Sequence, residues 1–424
     1  MKKLLVLFLA VLMALSLTAC SGGKDNEPTG ETGKVYYLNF KPEADEAWQE
    51  LAKKYTELTG VEVKVVTAAS GNYETTLENE LGKANPELTL FQLTNDGALA
   101  VYGDYCADWT GTAPYSEMTT HDFDLVKDGK TLGIGYCYEC FGIIVNKKLL
   151  AEAGHDISEI TNFETLKAVA EDIHSRAAEL GFDAFTNAGL ADSSSWRFSG
   201  HLITLPLHYE GVTAKGEIKG TYLNEFKNIW DLYLNNSATD PVANNTAGDE
   251  AEAEFGTGKA VFYQNGSWEY AALTGNYGMN PEDLQMIPIY CGHEGEEKAG
   301  VCSGSEAHWA ISNLVSEADR NATIDFVNWV VTSDEGTTMM AEQFGPIPFK
   351  SAKEPANVFF AQANALLAQG NYNVSWAFNY TPAVNDFRAG LVTALRDYAQ
   401  NGDWSVVETA FVSGWNNLYN QEAE

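Results

Sequence analysis

Basic residues are scarce in this sequence. Lysine and arginine number 26 against 59 aspartate and glutamate, a formal net charge of −33. Such a field repels nucleic acid and anionic lipid headgroups, so no nucleic-acid partner is expected. It suits a neutral or cationic ligand, although solubility alone would also account for it. Enzyme signatures are missing as well. There is no G-x-S-x-G; Gly300-Val-Cys-Ser303-Gly304 puts its serine one place late. H-E-x-x-H and the phosphate-cradling G-x-x-x-x-G-K-[ST] are absent. The seven histidines are scattered, and neither His293-Glu294 nor His208-Tyr209-Glu210 has a partner at metal-ligand spacing. No metal site and no cofactor are therefore expected. The paired carboxylates of a glycosidase could still meet in space, but nothing localises such a pair. No internal repeat or low-complexity tract stands out.

Cysteine is sparse. Beyond Cys20 there are Cys106, Cys137, Cys140, Cys291 and Cys302. An odd number argues against a complete disulfide framework. Cys291 and Cys302 flank a Gly- and Glu-rich stretch and could bridge a hairpin. Cys137-Tyr-Glu-Cys140 has redox or metal spacing, yet it lies in a strand-like run, where positions three apart point to opposite faces. Free, packed thiols are the expectation.

The apolar run Leu4 to Leu17 is too short for a membrane span. Lys2 and Lys3 precede it, as in a secretory signal peptide. Leu17-Thr18-Ala19-Cys20 then resembles a lipobox, the lipidation site of bacterial lipoproteins. By that resemblance Cys20 becomes the diacylated first residue of the mature chain. Each buried acyl methylene contributes about 0.8 kcal/mol to anchoring. The implied location is the extracellular face of a bacterial cytoplasmic membrane, of Gram-positive type. An ordinary secretory signal with a chance cysteine is the alternative. Ser21 to Gly33 has no aliphatic or aromatic residue and reads as a flexible tether. Residues 1–20 are thus leader, 21–33 tether, and the folded chain starts near Lys34.

What remains, about 390 residues, suits two domains better than one. Hydrophobic residues make up 45% and charged residues 20%, enough for a large core. Val35 to Phe40 reads as a strand. A helix follows with Trp48, Leu51, Ala52, Tyr55 and Leu58 on one face and Gly60 past its end. Val61 to Val66 is a second strand, a helix carries Tyr73, Thr76, Leu77 and Leu81, and Leu88 to Leu93 is a third strand. This β-α-β-α-β order implies parallel strands with right-handed crossovers. Further on, Thr131 to Asn146 is strand-like with Gly punctuation. A helix over 161–180 opens with a capping pattern from Thr161 to Glu164 and ends at Gly181. Helices are also predicted around 223–235, 320–332, 334–343, 383–400 and 405–420, and an exposed loop over 237–252.

Ligands of parallel sheets bind beyond the carboxyl ends of the strands. Those ends carry Asn39 with Lys41 and Glu43, then Ser70-Gly71-Asn72-Tyr73, then Asn95-Asp96-Gly97. Such residues make turns in any protein, but three consecutive strands delivering them to one edge point to a polar cleft.

Gly135 to Lys147, Lys259 to Trp268, Gly304 to Ser312 and Ile324 to Gly336 follow in an order that resembles extracellular solute-binding proteins of the carbohydrate ABC-importer class, family 1. The first resembles that family's hinge-crossing strand. The second resembles its A-M-x-x-x-G-x-W strand and turn, the third its second crossing, and the last its T-S-x-E-G helix end. The resemblance spans nearly the whole mature chain. It implies an α/β, two-lobed periplasmic-binding-protein-like fold of type II, with a ligand cleft between lobes joined by a three-crossing hinge. The first lobe would hold 34–138 and 303–344, the second 143–302 and 346–424.

The resemblance also implies site residues. Glu139 falls where the family places a sugar-hydroxyl acceptor. Asn95 and Asp96 match polar groups after the third strand. Trp268 matches the aromatic of the G-x-W turn, Trp196 a sugar-stacking aromatic, and Trp376 with Phe378 a late aromatic platform. Tyr73, Ser70, Asn39 and Glu43 complete the candidate cleft. Cys137 and Cys140 depart from the family pattern. The chemistry fits a pyranose, whose apolar face stacks on rings while its hydroxyls pair with polar groups. Core packing is the alternative for Trp196 and Trp268, whereas a carboxylate such as Glu139 in an apolar strand needs a partner. The function implied is a lipid-anchored sugar receptor, a monomer that hands an oligosaccharide to transmembrane permease subunits without catalysis. A polyamine receptor and a surface-anchored glycosidase are the rivals.

Overall fold

Twin alternations in strand β1 (Val35–Asn39) set the first layer. All five residues are buried, as expected of a strand covered on both faces. Val35 and Tyr37 face one core with Trp48, Leu51 and Phe326, while Tyr36 and Leu38 face another with Leu77, Leu81 and Leu99. The computed structural model that gives this picture describes residues 33–69, 72–186, 189–191, 194–238 and 248–423. The leader, the lipidation candidate Cys20, the tether up to residue 32 and Ser70 lie outside the described residues.

The remaining strands are β2 (Val63–Thr67), β3 (Leu90–Leu93), β4 (Leu125–Lys127), β5 (Lys130–Gly135), β6 (Glu139–Asn146), β7 (Asp183–Phe185), β8 (Ala260–Gly266), β9 (Leu284–Ile287), β10 (Ala299–Gly304), β11 (His308–Ile311) and β12 (Tyr372–Ser375). One six-stranded sheet runs β2-β1-β3-β11-β5-β4, and the second runs β12-β10-β6-β8-β7 with β9 also paired to β6. β1 pairs in parallel with both β2 and β3, as the β-α-β-α-β reading requires. The second sheet is likewise covered on both faces. Phe141, Ile143 and Val145 pack under helices Phe163–Ser175, Leu223–Asn235 and Val384–Asn401. Cys140 and Ile144 pack under helices Gly248–Gly256 and Val358–Ala368.

The chain passes between the sheets three times. The strand-like run over 131–146 is two strands, and Tyr136-Cys137-Tyr138, within the segment that resembles a hinge crossing, carries the chain from β5 in one sheet to β6 in the other. Ser305-Glu306-Ala307 returns it from β10 to β11, and the segment after helix Asp334–Gln343 crosses again. The crossings lie side by side: Tyr136 N–H donates to Ala307 C=O at 3.0 Å and Tyr138 N–H to Pro346 C=O at 3.2 Å. Ser305 Oγ donates to Cys137 C=O at 2.9 Å.

Helix Asp45–Thr59 ends at Gly60, whose φ of 76° is the left-handed conformation that glycine adopts without strain. Elsewhere local chemistry differs from the sequence reading. The capping residue before Phe163 is Asn162, not Thr161. Its side-chain Oδ1 accepts from Thr165 N–H at 3.0 Å, and Thr165 Oγ1 accepts from Asn162 N–H at 3.1 Å. That helix stops at Ser175 and a separate turn, Ala177–Leu180, follows. Of the loop expected over 237–252, residues 239–247 lie outside the described residues, and 248–252 belong instead to helix Gly248–Gly256. Ala251 and Phe255, four apart and fully buried, supply the face that a polar composition hides. The helix expected over 405–420 is interrupted by a wider turn, Thr409–Ser413. Cys106, Cys137, Cys140, Cys291 and Cys302 are free and buried.

Candidate functional site

The charged floor of the site begins where β1 ends. Asn39 is fully buried and bends the chain behind it. Its Nδ2 donates to Lys41 C=O at 2.6 Å and to Thr67 Oγ1 at 3.0 Å, and Lys41 N–H donates to its Oδ1 at 3.1 Å. This loop turns the Lys41 side chain inward, 6% exposed, onto Glu139 at the start of β6, 4% exposed. The Lys41 ammonium lies 2.6 Å from both Glu139 oxygens and 4.0 Å from Glu43 Oε1. Burial works against the ammonium, but Glu139 and Glu43 outweigh it and hold its pKa above the usual value. Burial raises the Glu43 pKa, with Lys41 opposing and Glu139 adding to the rise.

Glu306, on the second crossing, is pushed up to about 7. Burial is the main cause, Glu139 and Glu74 add to it, and Lys41 and Arg388 oppose it. Arg388 stands on helix Val384–Asn401, where its Nε donates to Ser199 Oγ at 3.4 Å. Asn385, one turn earlier, donates to the Glu74 carboxylate on helix Tyr73–Leu81. Helices packed on the two sheets therefore touch on the cleft side.

An aromatic wall stands beside this floor. Trp268 follows β8 with its ring folded back over Gly266. A Cβ there would lie 2.2 Å from that ring, so only glycine permits the close approach. Gly304 plays the same part for Trp376, whose ring would be 2.7 Å from an added Cβ. The Lys41 ammonium is 5.7 Å from the Trp268 ring centre, within cation–π range. Trp196 and Trp268 are 6.1 Å apart at 58°. Both are half-buried, whereas Trp376 and Phe378 are buried. Glu269, just after Trp268, is pushed up to about 8 by burial, Glu252 and Glu43.

The structure thus brings together Glu139, Glu43, Trp196, Trp268 and Trp376, with Asn39 shaping the loop that carries Lys41. Tyr73 sits in the core of the first sheet. Its hydroxyl accepts from Gln92 N–H at 2.6 Å and donates to Gln92 C=O at 3.0 Å, so both bonding directions are used. The Asn95 side chain caps helix Asp96–Tyr102, accepting from Gly97 and Ala98 N–H at 2.8 and 3.1 Å. Asp96 is exposed in that helix's first turn. Sequence reasoning missed Glu306, Glu74 and Arg388 and the pairing of Lys41 with Glu139. Glu306 gave a signal like that of Glu139, an acid in a crossing between two largely buried strands. Among the described residues no group of acids, histidines and cysteines forms a metal cluster, and no helix is long and apolar enough to cross a membrane.

Two α/β sheets joined by three crossings, with a polar and aromatic cleft between them, define a two-lobed solute-binding protein. The bacterial extracellular solute-binding protein family matches residues 50–368, well over half of the chain, and the chain belongs to that family. No curated protein matches it by sequence. Solved structures share the fold. RafE, solved in complex with raffinose, matches with a TM-score of 0.73 at 16% identity, covering 92% of this chain and 100% of its own. A chitin oligosaccharide binding protein matches at 0.70 and 15%, covering 92% and 100%. The binding protein BlMnBP1 of an ABC transporter from Bifidobacterium animalis subsp. lactis, solved with mannobiose, matches at 0.66 and 16%, covering 92% and 95%.

Proposed function

We propose that the protein is the lipid-anchored receptor of an ABC importer, and that it binds a saccharide in the cleft and delivers it to a membrane permease. The observation that carries this reading is the wall of Trp196, Trp268 and Trp376 beside a floor of Glu139, Glu43, Glu306, Lys41 and Arg388. Rings cover the apolar face of a pyranose while charged groups re-pair the hydroxyls stripped of water. An unpaired buried hydroxyl would cost about 1–3 kcal/mol. The fold neighbours named for raffinose, mannobiose and chitin oligosaccharide support the same ligand class. In this reading the lobes comprise 34–138 with 303–344 and 143–302 with 346–424, closing by hinge bending. Cys20 anchors a monomer at the extracellular face, and the ligand leaves chemically unchanged.

One observation favours a second reading. Glu43, Glu74, Glu139 and Glu306 all act on one another or on Lys41, and such a gathering of acids would also hold a polyamine. A thermal-shift screen of residues 33–424 separates the two. A saccharide at a hundred times its Kd should add about 2.7 kcal/mol of stability. Stabilisation by spermidine and by none of raffinose, mannobiose and chitobiose would transfer the case to the polyamine. A new compound appearing by chromatography would transfer it to a glycosidase.

A further inference from the structure

His201 occupies the centre of the aromatic wall, and the sequence reading assigned it nothing. It ends the wide turn Arg197–His201, in which Leu202 N–H reaches back five residues to Arg197 C=O at 3.1 Å. Turns of this kind bulge a helix and are common at functional sites. The imidazole stacks on Phe141 with ring centres 4.1 Å apart and planes 4° apart. Trp196 meets it edge-on at 4.7 Å and Trp268 at 5.4 Å, with Trp376 at 6.2 Å and Phe378 at 5.5 Å. The residue is only 5% exposed, yet its Nδ1 has no hydrogen-bond partner. Trp376 Nε1, on the same wall, has none either. Packing alone would favour a phenylalanine here, because an orphaned buried polar atom is destabilising.

Burial, with Arg388, Arg197 and Lys41 adding to it, holds the His201 pKa well below the usual imidazole value. The ring is therefore neutral, with one nitrogen donating and the other accepting. With the proton on Nε2, Nδ1 accepts. Trp376 Nε1 only donates. A hydroxyl both donates and accepts, so an acceptor and a donor within one aromatic cage complement it.

We propose that His201 is a specificity-determining residue of the cleft, its Nδ1 accepting a hydrogen bond from a hydroxyl of the bound saccharide between the rings of Trp196, Trp268 and Trp376. The inference rests on the saccharide reading and deepens it. His201→Phe keeps a flat ring and removes the nitrogen. His201→Asn places an amide atom near the Nδ1 position.

Calorimetric titration of wild type and both variants with raffinose, mannobiose and chitobiose tests it, with unliganded melting temperatures as the control for folding. For whichever of the three binds wild type, His201→Phe should lose about tenfold affinity or more and His201→Asn should recover much of that loss. The unliganded His201→Phe protein should melt no lower than wild type. Equal affinity in wild type and a folded His201→Phe would overturn the proposal and leave the saccharide reading standing. If His201→Phe does not fold, full affinity loss in a folded His201→Asn overturns it instead, since the restored polar group should bind. Wild type binding none of the three sugars would remove both.

Discussion

The Lys41–Glu139 pair joins the loop after β1 in one sheet to the first residue of β6 in the other, and its loss should be costly. Lys41→Met keeps the aliphatic stem and removes the ammonium. Glu139 is then left at 4% exposure with Glu43 and Glu306 close by and no cation at 2.6 Å. Breaking a buried pair from one side costs about 3–5 kcal/mol. A solvent-exposed pair such as Lys54 with Glu50, at 3.1 Å, is worth at most about 1 kcal/mol. The gap between those figures makes the measurement decisive. Glu139→Gln leaves the ammonium buried, but Glu43 at 4.0 Å remains beside it, so its cost should fall nearer 3 kcal/mol. Lys41→Met combined with Glu139→Gln leaves no unpaired charge between them and should recover a large part of either loss. Urea unfolding followed by circular dichroism gives the three differences. Single variants within about 1 kcal/mol of wild type, or a double variant equal to the sum of the singles, would refute a buried, coupled pair.

Other consequences are independent of that pair. Glu296 accepts from Phe163, Cys291 and Gly292 N–H at 2.7, 2.6 and 2.8 Å; Glu296→Ala should cost about 3 kcal/mol or more in thermal unfolding, and a loss under about 1 kcal/mol would mean water replaces it. The Glu306 carboxyl sits at about 7 in the fold against 4.5 ordinarily. Its contribution to stability is thus complete below pH 4.5 and is lost as pH rises through about 7. Glu306→Gln should flatten that dependence and melt above wild type at pH 8; an unchanged slope in melting temperature would contradict the burial argument. Cys20→Ala should move the protein from the membrane fraction to the medium or soluble fraction with ligand binding intact, and retention in membranes at high salt would argue against the lipid anchor.

Much of the fold was legible because it repeats local rules. Val35–Asn39 alternates between two cores, Trp48 to Tyr55 keeps one helical face, and Gly60 ends that helix where its spacing says it should. Long helices such as Leu223–Asn235 and Asp334–Gln343 agree with the apolar spacing. Failures came where a tertiary contact decides. Two buried residues, Ala251 and Phe255, turn an acidic run into a helix. Asn162 outcompetes Thr161 for the cap by reaching the Thr165 N–H. The sheet change at Tyr136-Cys137-Tyr138 was legible only through the resemblance of Gly135 to Lys147 to a hinge-crossing strand, because strand periodicity alone runs on from β5 into β6. At the site, Glu139 announced itself as a charge out of place, but its partner lies 98 positions away. His201 gave no sign at all, because what distinguishes it is the set of rings that Phe141, Trp268 and Trp376 bring from distant strands and loops.

The most direct measurement is calorimetric titration of residues 33–424 with raffinose, mannobiose, chitobiose and spermidine, on wild type and on Trp196→Ala and Trp268→Ala. A saccharide receptor should bind one of the sugars at one site per chain. Each tryptophan variant should remain folded and lose on the order of 1 kcal/mol or more of binding free energy. Binding of spermidine alone, or a sugar affinity unchanged in both folded variants, would contradict the saccharide cleft.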